Sequence, residues 1–381
     1  MPRLISISHS YVVANNRRLA HEMAQQGRGR WEVTAIAPAR LAADLRDVSL
    51  EPIAEEACTT RGLRMRLGRS PHLRHYERQL HALLDSSWDV VHVWEEPYVA
   101  ACAQVASAAR ARACLVPATF QNIAKSYPPP LTQFERRVMR RANGWIAFGE
   151  SVHEVQHGRP GYATVPSRVI PPGVDTLRFR PDGEARTAVR ASLGWNDDTP
   201  VVGFLGRFVQ SKGLAVLMNA LKEARQPWRA LFVGGGPMER DLSAFASAHP
   251  GRVRVLTGVA HDDVPRHLNA MDLMCAPSQT TRAWREQFGR MLIEAMACGI
   301  PVVASRSGEI PHVMGDAGVL VDESDAAHWT AAIDRLLTEP KSRADLSARG
   351  LGRVHEKFAW PIVARAHLTF FEELLSSSSR Q

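Results

Sequence analysis

The chain is poor in the residues that would make it a disulfide, metal or membrane protein. It holds five cysteines in 381 residues, at 58, 102, 114, 275 and 298. No two have metal-ligand spacing, and an odd count of scattered thiols fits reduced cysteines in the cytoplasm. No run of about 18 apolar residues occurs, which excludes a spanning helix. The opening MPRLISISHSYVV has one arginine and no apolar stretch bounded by a cleavage site, so it reads as a strand and not as a secretory leader. No Asp-x-Asp pair stands near a strand end, and no Gly-x-Gly-x-x-Gly fingerprint with an acidic ribose partner is present. No carboxylate pair is placed as in a double-displacement glycosidase. No motif interleaves aromatic and basic residues as nucleic-acid binders do.

What is present is an ordinary globular composition, 45% hydrophobic and 23% charged, with a length that predicts two domains. The net charge is +8 and the pI about 9.6. The excess is uneven: residues 1–175 hold 22 Lys/Arg against 16 Asp/Glu, and residues 176–381 hold 25 against 23. A basic first half suits an anionic lipid surface or a phosphorylated substrate, or is simply a solvated surface. The first half offers the strand runs RLISIS, WEVTAIAP, WDVVHVW, ACLVPATF, NGWIAFG and SRVIPPG, and the second offers PVVGFLGR, RALFVGGG, VRVLTGV, DLMCAPS, IPVVASR and GVLVD. Such runs alternating with helical stretches predict two doubly wound parallel sheets. The cut falls at 172/173, where PPGVDTLRFRPDGEA marks a connection. The domains are then 1–172 and 173–360, with a helix over about 361–376 packing back on the first and a disordered SSSSRQ tail.

Three stretches of the second half carry candidate chemistry. VVGFLGRFVQSKG runs a buried strand into a turn, with Gly206, Arg207 and Lys212 at the strand's carboxyl end beside a helix start. Two cations there suit a diphosphate. FVGGGPMERDL places Gly235 where backbone can approach a phosphate or sugar. EQFGRMLIEAMACG predicts a helix from Gly289 to a C-terminal cap at Gly299, with its first N–H groups facing outward at Gly289, Arg290 and Met291. Glu286 precedes that helix and Glu294 lies inside its apolar run. A buried carboxylate needs either a core cation or a ligand as its partner.

This last region resembles glycosyltransferase family 4, the retaining enzymes of the GT-B fold. The resemblance rests on EQFGRMLIEAMACGIPVVAS, with GRFVQSKG, VGGGP, MDLMCAPS and VIPPGVD in the expected order over most of residues 170–320. It implies two Rossmann-like domains, the first binding an acceptor, the second binding a nucleotide diphosphate sugar, with the active site in the cleft between them. It implies transfer of a hexose-type sugar with retention, first expected from a uridine diphosphate sugar, without a metal or other cofactor. Arg207 and Lys212 would then hold the diphosphate and assist its departure, and Glu286 would bind hydroxyls of the transferred sugar. Glu294 would bind the ribose, and Phe288, Gly289, Arg290, Met291 and Leu292 would meet phosphates or sugar. The chain departs from the family in its first loop, HSYVVANNRR, and at ATFQNIAK, where Gln121 and Asn122 stand near the place of a common histidine.

On the acceptor side the candidates are His9, Asn15 and Asn16 after the first strand, Glu95, Glu96 and Tyr98 after HVW, and Gln121 with Asn122. Each also has a bland reading as a solvated or structural polar group. Six arginines in residues 61–78 suggest either peripheral contact with the inner face of an anionic membrane or a solvated helical face. A phosphorylase, a sugar-nucleotide epimerase and a basic nucleic-acid-binding protein are the rival functions.

Overall fold

The computed structural model describes residues 1–42, 47–66, 70–195 and 198–378 and divides into two compact units. The first comprises residues up to Gly173 together with the segment from Trp360 onward; the second is Val174–Ala359. Val174 and Ala359, where the chain enters and leaves the second unit, form a parallel bridge.

In the first unit the strands are β1 (Arg3–Ile7), β2 (Glu32–Pro38), β3 (Thr59–Leu63), β4 (Val90–Val93), β5 (Cys114–Thr119), β6 (Trp145–Ala147) and β7 (Ser167–Val169). They form one parallel sheet in the order β7-β6-β5-β4-β1-β2-β3. All four residues of β4 and all six of β5 are buried, as a sheet covered on both faces requires. One face packs under α1 (Ala14–Gln26) and the C-terminal helix Trp360–Ser378, which contributes Phe370, Phe371 and Leu374 to the core. The other face packs under α2 (Ala100–Ala108) and its neighbours.

The second unit repeats the plan with β8 (Val201–Arg207), β9 (Arg229–Gly235), β10 (Val253–Thr257), β11 (Leu273–Ala276), β12 (Val302–Ser305) and β13 (Val319–Val321). The order is β10-β9-β8-β11-β12-β13, again all parallel. In both units the strand order reverses beside the first strand. A doubly wound sheet opens a crevice outside the strands' carboxyl ends at that switch point.

Two expectations are corrected. The 61–78 segment is not a helical face. Thr59–Leu63 is the edge strand of the first sheet, Met65–Arg66 pairs antiparallel with His75–Tyr76, and Pro71–Leu73 is a short turn of 3-10 helix. Two β-branched threonines start the strand, and Pro71, which has no N–H, opens the 3-10 turn rather than extending a helix. Leu67, Gly68 and Arg69 lie outside the described residues. The serine tail is helical through Ser378, with the Ser376 and Ser377 hydroxyls donating to the Glu372 and Glu373 carbonyls at 2.8 and 2.9 Å; Ser379, Arg380 and Gln381 lie outside the described residues. Among the described residues, no helix is long and apolar enough to cross a membrane.

Candidate functional site

In the second unit the switch point lies between β8 and β11, and the candidate residues of both strands' loops meet there. Arg207 ends β8 and is exposed; among the described residues no acid pairs with it. The chain then makes a 3-10 turn, Gln210–Lys212, closed by Gly213 at φ +71°. A Cβ at Gly213 would stand 1.8 Å from the Pro277 carbonyl oxygen, so glycine is what lets this turn lie against the loop after β11. The approach brings Lys212 to Glu286. Its Nζ donates to Glu286 Oε2 at 2.5 Å, and the Ser278 hydroxyl donates to the same oxygen at 2.8 Å. The ammonium also stands 5.0 Å from the centre of the Trp284 ring. Both charges are largely buried.

Glu286 leads into α3 (Arg290–Ala297). Gly289 occupies the N-cap at φ +82°, a left-handed conformation, and no side chain caps the helix. The first-turn N–H groups of a helix have no intrahelical acceptor, and the helix dipole favours an anion in front of them. Gly299, at φ +71°, ends the helix. The Phe288 and Leu292 side chains are buried in the core, Phe288 edge-on to Phe358 at 5.8 Å, so these two residues offer a ligand their backbone alone. Gly206 and Gly235 continue the paired ends of β8 and β9, where Arg207 lies opposite Gly235.

Glu294 is buried within this helix, and among the described residues no side chain hydrogen-bonds or ion-pairs with its carboxylate. Burial raises its pKa, while the charges of Arg290 and Arg178 act the other way. The core ion pair that would have explained it structurally is not formed among the described residues.

In the first unit four of the candidates, His9, Glu95, Glu96 and Tyr98, gather around the switch point between β1 and β4. The His9 backbone N–H donates to one Glu95 oxygen, and His9 Nδ1 lies 2.5 Å from the other. Glu95 is buried, and its charge raises the pKa of His9. Glu96 faces β5: it accepts from the Thr119 hydroxyl at 2.7 Å and from the Phe120 N–H at 2.9 Å. Burial lifts its pKa to about 7. Tyr98 stacks on Tyr127, with ring centres 4.1 Å apart. Gln121 accepts the Ile123 N–H at 3.1 Å, and Asn122 is fully buried. Asn15 and Asn16 lie in the first turn of α1; the Asn16 amide donates to the Ser10 carbonyl at 3.2 Å. His9, Glu95, Glu96 and Tyr98 line one small cavity together with His72 and Arg74, whereas Asn15, Asn16, Gln121 and Asn122 are not among its lining residues.

Sequence reasoning missed Ser278, His72, Arg74 and Arg178. Ser278 directly follows the strand-ending CAP and was open to the same strand-end argument as Arg207. His72 and Arg74 reach their cavity through a turn that no local pattern announces. Among the described residues no group of three or more His, Cys, Asp or Glu side chains could hold a metal ion.

Residues 185–353 match the family model described as glycosyl transferases group 1. A GDP-mannose-dependent alpha-(1-6)-phosphatidylinositol monomannoside mannosyltransferase of Mycolicibacterium smegmatis is 38% identical over 200 residues, covering 50% of this chain and 52% of that protein. A D-inositol 3-phosphate glycosyltransferase of Corynebacterium jeikeium is 34% identical over 244 residues, 60% of this chain and 57% of that protein. The chain thus spans about half the length of the curated relatives it matches. Among solved structures, HepE of Anabaena in complex with UDP superposes with a TM-score of 0.76 at 18% identity, over 98% of this chain and 100% of that one. A sucrose-phosphate synthase of Thermosynechococcus elongatus gives 0.72 at 21% identity, over 99% and 100%. At these identities the structural likeness speaks for the fold, which is GT-B.

Proposed function

Residues 185–353 form a group 1 glycosyl transferase domain, and on that premise we propose that the chain moves a sugar from a nucleotide diphosphate sugar to a hydroxyl acceptor. The observation that carries this is Glu294. A buried carboxylate with no side-chain hydrogen bond or ion pair among the described residues is costly, and a ribose diol would supply donors to it. Arg207, Lys212 and the uncapped N-terminus of α3 are the positive groups for the diphosphate. They stabilise the charge that builds as it departs, which is how a preorganised electrostatic site lowers a barrier. Glu286, already a hydrogen-bond acceptor for Lys212 and Ser278, receives hydroxyls of the transferred sugar. Retention of configuration and independence of metal follow from the family resemblance.

The base of the donor is a separate matter. Uridine is the expectation from sequence, but two curated relatives are named as GDP-mannose-dependent, so GDP-mannose joins the UDP-sugars as a first donor to test. The acceptor side is the first unit, at His9, Glu95, Glu96 and Tyr98. Peripheral contact with anionic membrane on the cytoplasmic side rests on the exposed Arg61, Arg64 and Arg66.

The test is a donor screen read by release of nucleoside diphosphate, with and without polyol and lipid acceptors, in EDTA. Acceptor-dependent release from one donor, undiminished by EDTA and lost in Arg207→Ala, is the expected result. Release that ignores the acceptor favours an epimerase or simple hydrolysis, and no release from any donor overturns the reading.

A further inference from the structure

The cavity at the switch point of the first unit encloses about 220 Å³. Its walls are mostly apolar, from Met65, Val99 and Phe120, and its ionisable groups are His9, His72, Arg74, Glu95 and Glu96. Of these, the acids are already engaged. Both Glu95 oxygens are taken by His9, and both Glu96 oxygens by Thr119 and Phe120. His9 and Glu95 therefore form a closed hydrogen-bonded pair. Arg74 does not share in it. Among the described residues no acid lies within ion-pair distance of its guanidinium, and its Nε is buried with no hydrogen-bond partner. An arginine is always charged; Arg74 is half-buried, and the one donor atom it buries without an acceptor is costly to keep. The cavity thus holds a guanidinium with no acid partner among the described residues, in an apolar lining, flanked by two imidazoles.

We propose that this cavity is an anion subsite, built around Arg74, that takes the phosphate group of a phosphorylated polyol. A guanidinium fork offers two parallel N–H donors, which match two oxygens of a phosphate. His72 and His9 add donors on the same wall. The apolar lining raises the worth of each contact by excluding water. That the phosphate belongs to the sugar acceptor rests on the function proposed above; the subsite itself does not.

The full-length chain is titrated with inorganic phosphate and with glycerol 3-phosphate by calorimetry, in excess GDP and UDP to occupy any donor site. A parallel arm measures co-sedimentation with phosphatidylcholine vesicles, with and without phosphatidylglycerol. Saturable binding is expected that weakens at least tenfold in Arg74→Gln and is partly kept in Arg74→Lys. Binding of glycerol 3-phosphate identifies a soluble phosphate ester, and Arg74-dependent binding to anionic vesicles alone identifies a lipid headgroup; either supports the subsite. Thermal transitions of the variants exclude misfolding, since among the described residues the Arg74 side chain makes no hydrogen bond or ion pair to lose. Equal binding by wild type and a folded Arg74→Gln protein, or no binding in either arm, overturns the proposal. Failure of the transferase reading would look different: no nucleotide binding and no transfer, with Arg74-dependent phosphate binding intact.

Discussion

At the residue scale, the two charges assigned to different parts of a donor neutralise each other in the absence of ligand. Lys212 and Glu286 are joined at 2.5 Å with 16% and 8% of their side chains exposed. Removing one partner of a largely buried pair strands the other. Glu286→Gln should lower stability by up to about 3 kcal/mol. A nucleoside diphosphate would restore an anion beside Lys212, so it should raise the melting temperature of Glu286→Gln by more than it raises that of wild type. Scanning calorimetry with and without GDP or UDP measures both shifts; equal shifts would mean Lys212 does not meet the phosphates. Glu294 should behave in the opposite sense. Burial already disfavours its charge, so Glu294→Gln should melt at or above the wild-type temperature. It should bind nucleotide about 10–100-fold more weakly, the worth of a hydrogen bond to a charged group. A variant that melts well below wild type while keeping nucleotide affinity would make the carboxylate structural. The oddity of Glu294 was legible in the sequence, because the six apolar residues around it in Met291–Ala297 set its environment. The Lys212–Glu286 bond was not, because 74 residues separate its ends.

At the scale of elements, the C-terminal helix meets the first sheet through histidine. His92 on β4 and His367 on the helix are both buried, with ring centres 5.4 Å apart. His92 Nδ1 lies 2.9 Å from the Ser6 hydroxyl, and His367 Nδ1 lies 2.8 Å from the Val363 carbonyl oxygen. Both Nε2 atoms are buried without a partner among the described residues. Burial pushes both pKa values down, that of His367 from 6.5 to about 4. A base whose pKa is depressed on folding binds protons better unfolded, so its contribution is complete above pH 6.5 and is lost as pH falls toward 4. Relative to His367→Leu, wild type should therefore lose roughly 1.4 kcal/mol per pH unit across that window. Denaturant unfolding of both proteins at several pH values reads the slope; parallel curves would show that His367 is not held neutral. Element type was well read in the two parallel sheets: each of the twelve predicted runs contains a strand, including the partly buried edge strands Ser167–Val169, Val253–Thr257 and Val319–Val321. The remaining strand of the two parallel sheets, TTRGL, escaped because Leu63 is its one apolar side chain, which leaves no run to read. An edge strand need not show the continuous apolar run of an interior one.

At the scale of the molecule, the two units share one strand order, and Arg207 and Glu286 in one and His9 and Glu95 in the other stand at or follow the carboxyl ends of the strands that flank the reversal. The first unit is discontinuous in sequence: it is completed by a helix that follows the second. A chain ending at Ala359 would lose Trp360, Phe370, Phe371 and Leu374 from that unit's core. At roughly 1.5–3 kcal/mol for each buried side chain, the loss is on the order of 6 kcal/mol or more, comparable with the whole stability of a domain. Limited proteolysis of the truncated chain should degrade residues 1–173 and spare 174–359. Equal resistance of both parts would show that the helix is dispensable to the first unit.

The sequence by itself determined the class of fold, because the spacing of apolar residues reports burial and period locally, along a few residues at a time. It also determined that a carboxylate sits inside an apolar helix behind a glycine, and that two cations follow a strand. Only the tertiary structure decided which of these groups meet. His9 reaches Glu95 across 86 residues. Arg74 enters the same cavity from a turn beyond the edge strand, and Lys212 finds Glu286 because Gly213 lets one loop lie on another. Such meetings depend on strand order and on the closure of long loops. Neither leaves a periodic trace in the chain, since the contacts that fix them join residues whose local patterns are independent.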